Sequence, residues 1–414
     1  MGAGLSDSLM GAGNLTPATS TRKETVKKFL FTSLLSLALG LVTFQAQAGG
    51  AIDFENARMY GLGTSPQQVE DLDLIWLYPN KVLEYAGTAD FRLENGNGGT
   101  NEWGGVIWKS ILADGAVQGI YVNRPFEGDL SSFNLANGPF QSQYNWYPVG
   151  GNYTNNIIDA FWAQPVGGAD LGLHLNYGED WTGNDQSEQW ELCLGLGFAD
   201  WAGFDQVNLH PDYGFVSELN TATGVKDHGI WTAHLGVLGE THLDNLDALR
   251  LYGELRQDAN HFDGWDFEST TAYTGAALVR KVLDGKGLVV TGLDFDYAID
   301  NDQSFPTKYV NWFLFWNGGV ELQVADWLTL RAGLAANVVN RAYMSFLPAP
   351  YTTSIAQPVN TTAGFSIDWQ NFTLNAAVDI PALESQIAGV QPGRGLFFAG
   401  NTLTVDYADL KYKF

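Results

Sequence analysis

Four aspartates form the densest group of potential metal ligands in this 414-residue chain: Asp294, Asp296, Asp300 and Asp302. Carboxylate oxygens are the ligands that calcium prefers. Their spacing differs from that of an EF-hand loop, and the first two alternate with apolar residues, which is the pattern of a strand. We therefore interpret the group as a solvated acidic rim at one strand end, with a calcium site as the alternative.

Histidine and cysteine suggest little further chemistry by their spacing. The six histidines are scattered without the intervals of metal ligands. Cys193 is the only cysteine, so no intramolecular disulfide can form. His174 and His234 lie on the polar faces of predicted strands, where we expect them to line an interior rather than to bind a metal ion.

Enzymatic motifs are missing from the sequence, which contains no GxSxG, HExxH, Walker-type or CxxC pattern. The prediction is therefore a protein without enzymatic activity, cofactor or metal. A barrel lipase is the alternative, because its Ser–His pair would lie on adjacent strands and spacing along the chain does not reveal such neighbours.

Apolar and polar residues alternate through the chain from Leu83 onward. In one segment, Trp190, Leu192 and Leu194 alternate with Glu191 and Cys193. A period of two is typical of half-buried strands. No apolar run after residue 48 approaches the length of a spanning helix, so a chain of this kind that crosses a bilayer does so as a closed barrel.

The strand pattern predicts an all-β fold, a transmembrane antiparallel barrel of about sixteen strands, with fourteen as the alternative. Pro211 makes one strand the weakest, because proline cannot donate to a ladder. Short connections alternate with long ones, and the long ones include 126–155, 299–309, 340–360 and 380–401. The predicted strands are 83–93, 103–112, 115–125, 156–166, 171–178, 188–199, 203–217, 229–239, 247–257, 267–281, 287–298, 310–324, 327–339, 361–369, 372–379 and 402–414.

The polar faces of these strands carry the residues that we expect to line a pathway for solutes. In a membrane barrel the apolar face contacts lipid and the polar face lines the lumen. Mixed charges on facing walls can form a constriction that selects by size and charge. The candidate pore-lining residues are Glu84, Asp90, Arg92, His174, Glu191, His234, Arg250, Glu254, Arg256, Asp294, Asp296 and Arg331.

The chain is strongly acidic. Four of its 21 basic residues and two of its 46 acidic residues precede Gly49, so the remainder carries 17 basic and 44 acidic residues, a formal charge of −27. Nucleic acid is therefore not a predicted partner, because phosphate binding relies on basic surface. Acidic entrances would instead attract cations.

The amino-terminal residues have the pattern of an export signal. Lys27 and Lys28 precede the apolar run 29–44, and Ala46-Gln47-Ala48 matches a signal-peptidase site. We therefore expect residues 1–48 to be a leader and signal peptide, with translation starting at position 26 as one possibility. Cleavage is predicted between Ala48 and Gly49.

The carboxyl-terminal residues have the pattern of a closing strand. Leu410, Tyr412 and Phe414 share one face, and Lys411 and Lys413 share the other. Bacterial outer-membrane barrels commonly end on a phenylalanine in this way. We interpret Leu410, Tyr412 and Phe414 as a C-terminal assembly signal, and expect outer-membrane lipid and the barrel-assembly machinery as partners.

Two stretches resemble the FadL-type and PorV-like families of outer-membrane barrels. The first comprises 56–63, Glu70-Asp71 and 77–80, and the second comprises 319–321 and 328–333. The resemblance implies fourteen strands and an N-terminal segment tucked into the barrel or its periplasmic mouth. On this basis we divide the chain into residues 1–48 as leader, 49–82 as a candidate plug and 83–414 as the barrel.

Together these observations predict an exported protein of the bacterial outer membrane. The predicted function is a porin-like channel for small solutes with a weak preference for cations. Two alternatives are a non-conducting structural or secretion-associated barrel of the PorV-like kind and a FadL-like carrier of hydrophobic molecules.

Overall fold

The computed structural model describes residues 56–96, 99–124, 157–182, 185–220, 225–243, 247–262, 265–302, 307–344, 351–354, 359–379 and 407–414. The predicted leader, its cleavage site at Ala48–Gly49 and two predicted long connections, 126–155 and 380–401, lie outside these residues.

Antiparallel strands form one closed sheet, in which each strand pairs with its neighbours along the chain. The first strand also pairs with the last, with Thr88 opposite Lys413 and Arg92 opposite Asp409. The strands are β1 Thr88–Gly96, β2 Gly99–Lys109, β3 Val117–Val122, β4 Ile157–Val166, β5 Ala169–Thr182, β6 Asp185–Trp201, β7 Phe204–Asn220, β8 Val225–His242, β9 Asp247–Phe262, β10 Trp265–Val282, β11 Gly287–Asp302, β12 Thr307–Ala325, β13 Leu328–Met344, β14 Tyr351–Ser354, β15 Val359–Trp369, β16 Phe372–Asp379 and β17 Tyr407–Lys413.

The seventeen segments occupy sixteen positions around the barrel. β14 pairs with one end of β13, and β15 pairs with the other end, so both segments occupy the same position. The prediction of an all-β antiparallel barrel with about sixteen strands is therefore confirmed, and the fourteen-strand alternative is wrong.

Short turns lie at the end of the barrel that holds Thr88 and Lys413, which we call the lower rim. Gly167 and Gly168 join β4 to β5 there, and both have the positive φ that glycine adopts readily. Asp284 and Gly285 also have positive φ in the turn after β10. These dipeptides reverse the chain where the sequence predicted turns.

At the opposite end, the upper rim, several strands are longer than predicted. The long connection expected at 299–309 is wrong, because β11 reaches Asp302 and β12 begins at Thr307. The connection expected at 340–360 is also interrupted, since β13 reaches Met344 and β14 follows. Backbone ladder bonds do not depend on alternating hydrophobicity, so pairing continues where that pattern fades.

Pro211 lies inside β7 rather than ending it. β6 pairs with β7 up to Cys193 opposite Asp212 and again from Leu196 opposite Leu209, and no pair is formed between these points. On the other side Pro211 lies opposite Leu235 of β8. The strand therefore tolerates proline by leaving the ladder open on one side only.

The two faces of the sheet differ sharply in polarity. Phe91, Leu192 and Leu255 are among the large apolar side chains exposed on the outside. Asp90 and Arg256, on the opposite face, are buried. Since the chain described next contacts this second face, it is the interior of the barrel.

The residues before β1 fold into short helices inside the barrel. Helix α1 covers Ala57–Leu62, α2 covers Leu74–Leu77, and a 3₁₀ helix covers Pro79–Tyr85. The strand predicted to begin at residue 83 therefore begins at Thr88 instead, and Glu84 lies in the 3₁₀ helix. Among the described residues, no helix is long and apolar enough to span a membrane. We call residues 56–87 the N-terminal segment.

Candidate functional site

The N-terminal segment lies against glycines on the inward faces of strands from opposite parts of the barrel. A Cβ atom on Gly333 of β13 would lie 2.2 Å from the carbonyl carbon of Leu62. One on Gly172 of β5 would lie 2.0 Å from the backbone nitrogen of Asn80. Both glycines are within five residues of the lower rim. The segment thus occupies the lower half of the interior, with its backbone directly against the wall.

An aromatic cluster holds one side of the segment. Trp76 of α2 packs in edge-to-face geometry against Tyr121 of β3 and Phe161 of β4, with ring centroids 5.0 and 4.9 Å apart. Trp103 of β2 and Ile107 complete the contact. Such pairs add to the free energy of apolar burial. The inward face of β2–β4 is therefore apolar where the segment covers it.

An ionic network holds the other side. The guanidinium of Arg58 pairs with Asp71 at 2.9 Å and with Glu321 of β12 at 3.0 Å. Glu321 also accepts a 2.6 Å bond from Arg331 of β13. Burial acts to lower the pKa of Arg58, but the carboxylates of Glu321 and Asp71 outweigh burial and raise that pKa well above its ordinary value. Arg58 is therefore a fixed positive charge that ties the segment to β12.

A second ion pair joins α2 to β1. Arg92 contacts Asp73 at 2.5 Å and Asp90 at 2.6 Å, and all three side chains are buried. The guanidinium also lies 4.4 Å from the ring centre of Trp103. The side-chain amide of Asn56 donates to both Asp71, at 2.7 Å, and Asp73. The carboxylates of the segment are thus shared between several donors.

The closing strand β17 takes part in the same network. Asp409 accepts a bond from the backbone nitrogen of Ala57 at 3.2 Å and one from Asn375 of β16. Lys411 lies 3.4 Å from Asp71. For Asp71, burial acts to raise the pKa, but the charges of Lys411 and Arg58 outweigh it and lower that pKa well below its ordinary value. The first and last strands are therefore joined through the N-terminal segment as well as through their ladder.

Asp294 lies at the centre of a separate group of donors. Its carboxylate accepts bonds from the amides of Gln68 and Asn317, both at 2.8 Å, and from the hydroxyl of Tyr252. Because donors surround this carboxylate, it is not arranged as a calcium ligand. The side chains of Asp300 and Asp302 lie outside the described part of the structure.

Histidines, carboxylates and the cysteine meet on the inward faces of β6–β9. Asp212 of β7 lies 2.8 Å from Nδ1 of His234 and 3.7 Å from Nδ1 of His210. Cys193 Sγ lies 3.9 Å from Nδ1 of His210. Nε2 of His234 lies 3.4 Å from Glu254, which also accepts a 2.8 Å bond from Gln67. The fold thus brings together side chains whose spacing along the chain gave no metal-site signal.

Two glutamates of the segment share a hydrogen bond beneath Arg250 of β9. Burial, followed by the bond with Glu70, raises the pKa of Glu84 to about 7. The same bond lowers the pKa of Glu70. Lys81 lies 2.7 Å from Glu84, and Arg250 lies 3.5 Å from Glu70. Below about pH 7 the pair therefore carries one shared proton.

The raised pKa of Glu84 predicts that the stability of the folded protein falls between about pH 5 and pH 7. The pKa of Glu84 in the folded protein is above its ordinary value of 4.5. The stability that protonated Glu84 contributes is therefore fully present below about pH 4.5, and it is lost as the pH rises through about 7. We expect Glu84→Gln to flatten this slope, measured as the unfolding temperature from heat-modifiable gel migration. The exposed Glu102 provides the control variant, Glu102→Gln, and an unchanged slope in Glu84→Gln would contradict the assignment.

The remaining residues predicted to line a pore occupy different positions. His174 is bonded to Asp159 at 2.9 Å and stacks on Phe161, so it belongs to the aromatic side of the interior. Arg256 is buried on β9, while Glu191 of β6 and Asp296 of β11 are partly exposed. All of the candidate pore-lining residues except Glu84 therefore lie on strands.

The three residues predicted as an assembly signal lie at the closing strand. Leu410 and Phe414 are exposed on the outer face. The ring of Tyr412 lies 4.6 Å from that of Phe372 on β16. The backbone nitrogen of Phe414 donates to the carbonyl of Gly87 at 2.9 Å. Their role as a signal stays a prediction.

Sequence reasoning missed the partners that the N-terminal segment supplies. Gln68, Asp71 and Asp73 are buried and Arg58 is partly buried, yet their stretch shows no strand pattern. Arg58 and Asp71 do fall in the stretches that resemble known families, and this was the one available signal. His210 was missed because Pro211 beside it weakened the predicted strand.

No protein-family model matches the chain, and no curated protein matches it either. Several solved structures are similar in shape. CdiB from Escherichia coli is 12% identical with a TM-score of 0.44, covering 79% of this chain and 62% of that chain. The FrpB iron transporter from Neisseria meningitidis (F3-3 variant) is 10% identical with a TM-score of 0.38, covering 70% and 61%.

The toluene transporter TodX from Pseudomonas putida is also similar, with 10% identity and a TM-score of 0.37, covering 89% of this chain and 98% of that chain. This chain spans about three fifths of the length of CdiB and FrpB. At these scores, neither a family nor a function follows from the likeness.

Proposed function

We propose that the protein is a bacterial outer-membrane barrel that passes small solutes, and that the N-terminal segment narrows its lumen. The observation that carries the proposal is the contrast between the two faces of the sheet. Large apolar side chains such as Phe91, Trp190 and Leu255 are exposed outside, while charged side chains line the interior. An exposed apolar exterior of this kind suits lipid, and a polar interior suits water and solutes.

The lower half of the interior is the narrow part of the proposed pathway. The segment is fastened there by the aromatic cluster around Trp76 and by the ion pairs of Arg58 and Arg92. Breaking a buried ion pair costs about 3–5 kcal/mol. The segment is therefore a stable constriction, and solutes would pass between it and the uncovered wall.

The charge of the chain supports a weak preference for cations. Inward-facing acids and arginines pair with one another, as Arg331 does with Glu321, so the interior is close to balanced. Within the strand bounds given above, the strands hold 29 of the 44 acidic and 12 of the 17 basic residues, and several of these acids lie near the upper rim, among them Asp185, Glu218 and Asp302. Charges at the entrances attract cations over a Debye length of about 8–10 Å.

Planar-bilayer recording under a salt gradient tests this proposal. We expect a persistent conductance of small amplitude, with a reversal potential that favours cations at low salt and fades as the salt concentration rises. A reversal potential that favours anions would contradict the charge argument. Absence of conductance, even after the segment is loosened as described in the Discussion, would instead indicate the non-conducting PorV-like platform.

A FadL-like carrier of hydrophobic molecules is the second candidate, because the inward face of β2–β4 is apolar where the segment covers it. Trp103, Ile107 and Phe161 on that face are buried against Trp76 of the segment. A carrier would retain an apolar molecule there through purification, and mass spectrometry of an organic extract would detect it. Trp76→Ala should then reduce the amount retained, whereas a porin-like channel should retain none.

A further inference from the structure

The side chains that meet on β6 and β7 bring three potential metal ligands close together. Sγ of Cys193, Nδ1 of His210 and a carboxylate oxygen of Asp212 all lie within 4.8 Å of one another. The His210–Asp212 distance of 3.7 Å is too long for a hydrogen bond. The Cys193–His210 distance of 3.9 Å is at the outer limit for one. These three atoms are therefore close together without bonding strongly to one another.

The two distances made by His210 are close to those of tetrahedral coordination. Zinc binds thiolate sulfur at about 2.3 Å and imidazole nitrogen at about 2.0–2.1 Å. Tetrahedral angles then place the ligand atoms about 3.3–3.6 Å apart. The distances of 3.7 and 3.9 Å need to contract only by a few tenths of an ångström on binding.

The imidazole of His210 presents Nδ1, rather than Nε2, to Cys193 and Asp212. Its Nε2 atom is buried and has no hydrogen-bond partner among the described residues. That atom lies against Gly236, where a Cβ would be only 2.0 Å away. The glycine therefore makes room for the ring, and Nδ1 is left facing Cys193 and Asp212.

His234 and Glu254 supply the outer shell of such a site. Nδ1 of His234 is 2.8 Å from Asp212, and its Nε2 is 3.4 Å from Glu254. Metal-binding carboxylates are commonly oriented by hydrogen bonds of this kind. At 2.8 Å, Asp212 and His234 are too close for both to be tetrahedral ligands of one ion. We therefore assign Asp212 as the ligand and His234 as the residue that orients it.

We propose that Cys193, His210 and Asp212 bind a divalent transition-metal ion of the zinc class inside the barrel. Sulfur and imidazole ligands favour zinc or cobalt over calcium or magnesium. One thiolate and one carboxylate neutralise the two positive charges, as a buried site requires. The site lies under the segment, because Tyr78 packs on His210 with ring centroids 4.9 Å apart and the Leu77 carbonyl is 3.9 Å from Sγ.

Metal analysis of the full-length chain folded in detergent tests the site. After incubation with Zn²⁺ and desalting, we expect one equivalent of zinc in the wild type and its loss in Cys193→Ser and His210→Asn. The matched control is His174→Asn, which removes a buried histidine that pairs with Asp159 outside the cluster. Equal zinc in the wild type and Cys193→Ser, or none in the wild type, would overturn the proposal.

Cobalt gives a second readout that does not depend on the folding of any variant. Cys193 is the only thiol in the chain. A thiolate-to-cobalt charge-transfer absorption in the Co²⁺-loaded wild type therefore reports coordination by this residue. If Co²⁺ binds without that absorption, it is held adventitiously and the proposal is wrong.

Discussion

Adding a methyl group to the barrel wall at Gly333 or Gly172 should loosen the N-terminal segment and raise conductance severalfold. The new Cβ atoms of Gly333→Ala and Gly172→Ala would lie 2.2 and 2.0 Å from backbone atoms of Leu62 and Asn80. A backbone contact this close cannot be relieved by rotating a side chain. The closest atoms belong to the segment rather than to neighbouring strands, so we expect the barrel itself to remain assembled.

Two measurements check this prediction. Single-channel recording reports the wider pathway, and limited trypsin digestion reports the release of Lys81, which is buried in the wild type. The control is Gly253→Ala, whose Cβ would have no neighbour closer than 3.6 Å. Release of Lys81 to trypsin with unchanged conductance would show that the segment does not restrict the pathway.

Removing the positive charge of Arg92 should have the largest effect on stability. Arg92→Met leaves the buried carboxylates of Asp73 and Asp90 without their shared partner. Loss of one member of a buried pair costs about 3–5 kcal/mol, because the remaining charge is left in a medium of low dielectric constant. We expect a clearly lower unfolding temperature in heat-modifiable gel migration or in tryptophan fluorescence.

An exposed ion pair provides the control for this loss of charge, and neutralising the two aspartates provides the rescue. Arg280 pairs with Asp247 but is more than half exposed, so Arg280→Met should cost at most about 1 kcal/mol. In the triple variant Arg92→Met/Asp73→Asn/Asp90→Asn, the two carboxylates that lost Arg92 are replaced by neutral amides. We expect this variant to recover part of the lost stability. If the triple variant is no more stable than Arg92→Met, the cost arises from lost packing on Trp103 rather than from charge.

The fold class was readable from the sequence because a strand presents alternate residues to opposite faces. The alternation from Trp190 to Leu194 predicted which face of that strand each residue occupies. Leu192 and Leu194 are exposed, and Cys193 is buried. Asp90 and Arg92 were placed on one face for the same reason, and both are buried. The start of the first strand was misplaced, because Leu83 and Tyr85 continue an apolar alternation that a 3₁₀ helix also permits.

Alternation gives the face of a residue but says nothing of its neighbours across the sheet. His210 and His234 are 24 positions apart, and only the register of β7 and β8 places Asp212 between them. In the same way, Arg58 reaches Glu321 across 263 positions because the segment enters the barrel. No local pattern encodes that contact.

The sequence by itself therefore determined the class of fold, the strand faces and the acidic character, since each follows from local periodicity or from composition. Tertiary structure decided where the N-terminal segment lies, which charges pair and which ligands converge. These depend on strand register, on barrel closure and on the space that inward glycines leave, and all three are set by residues far apart in the chain. The candidate metal site arises from the same cause, because Cys193, His210 and Asp212 become neighbours only when β6 and β7 pair.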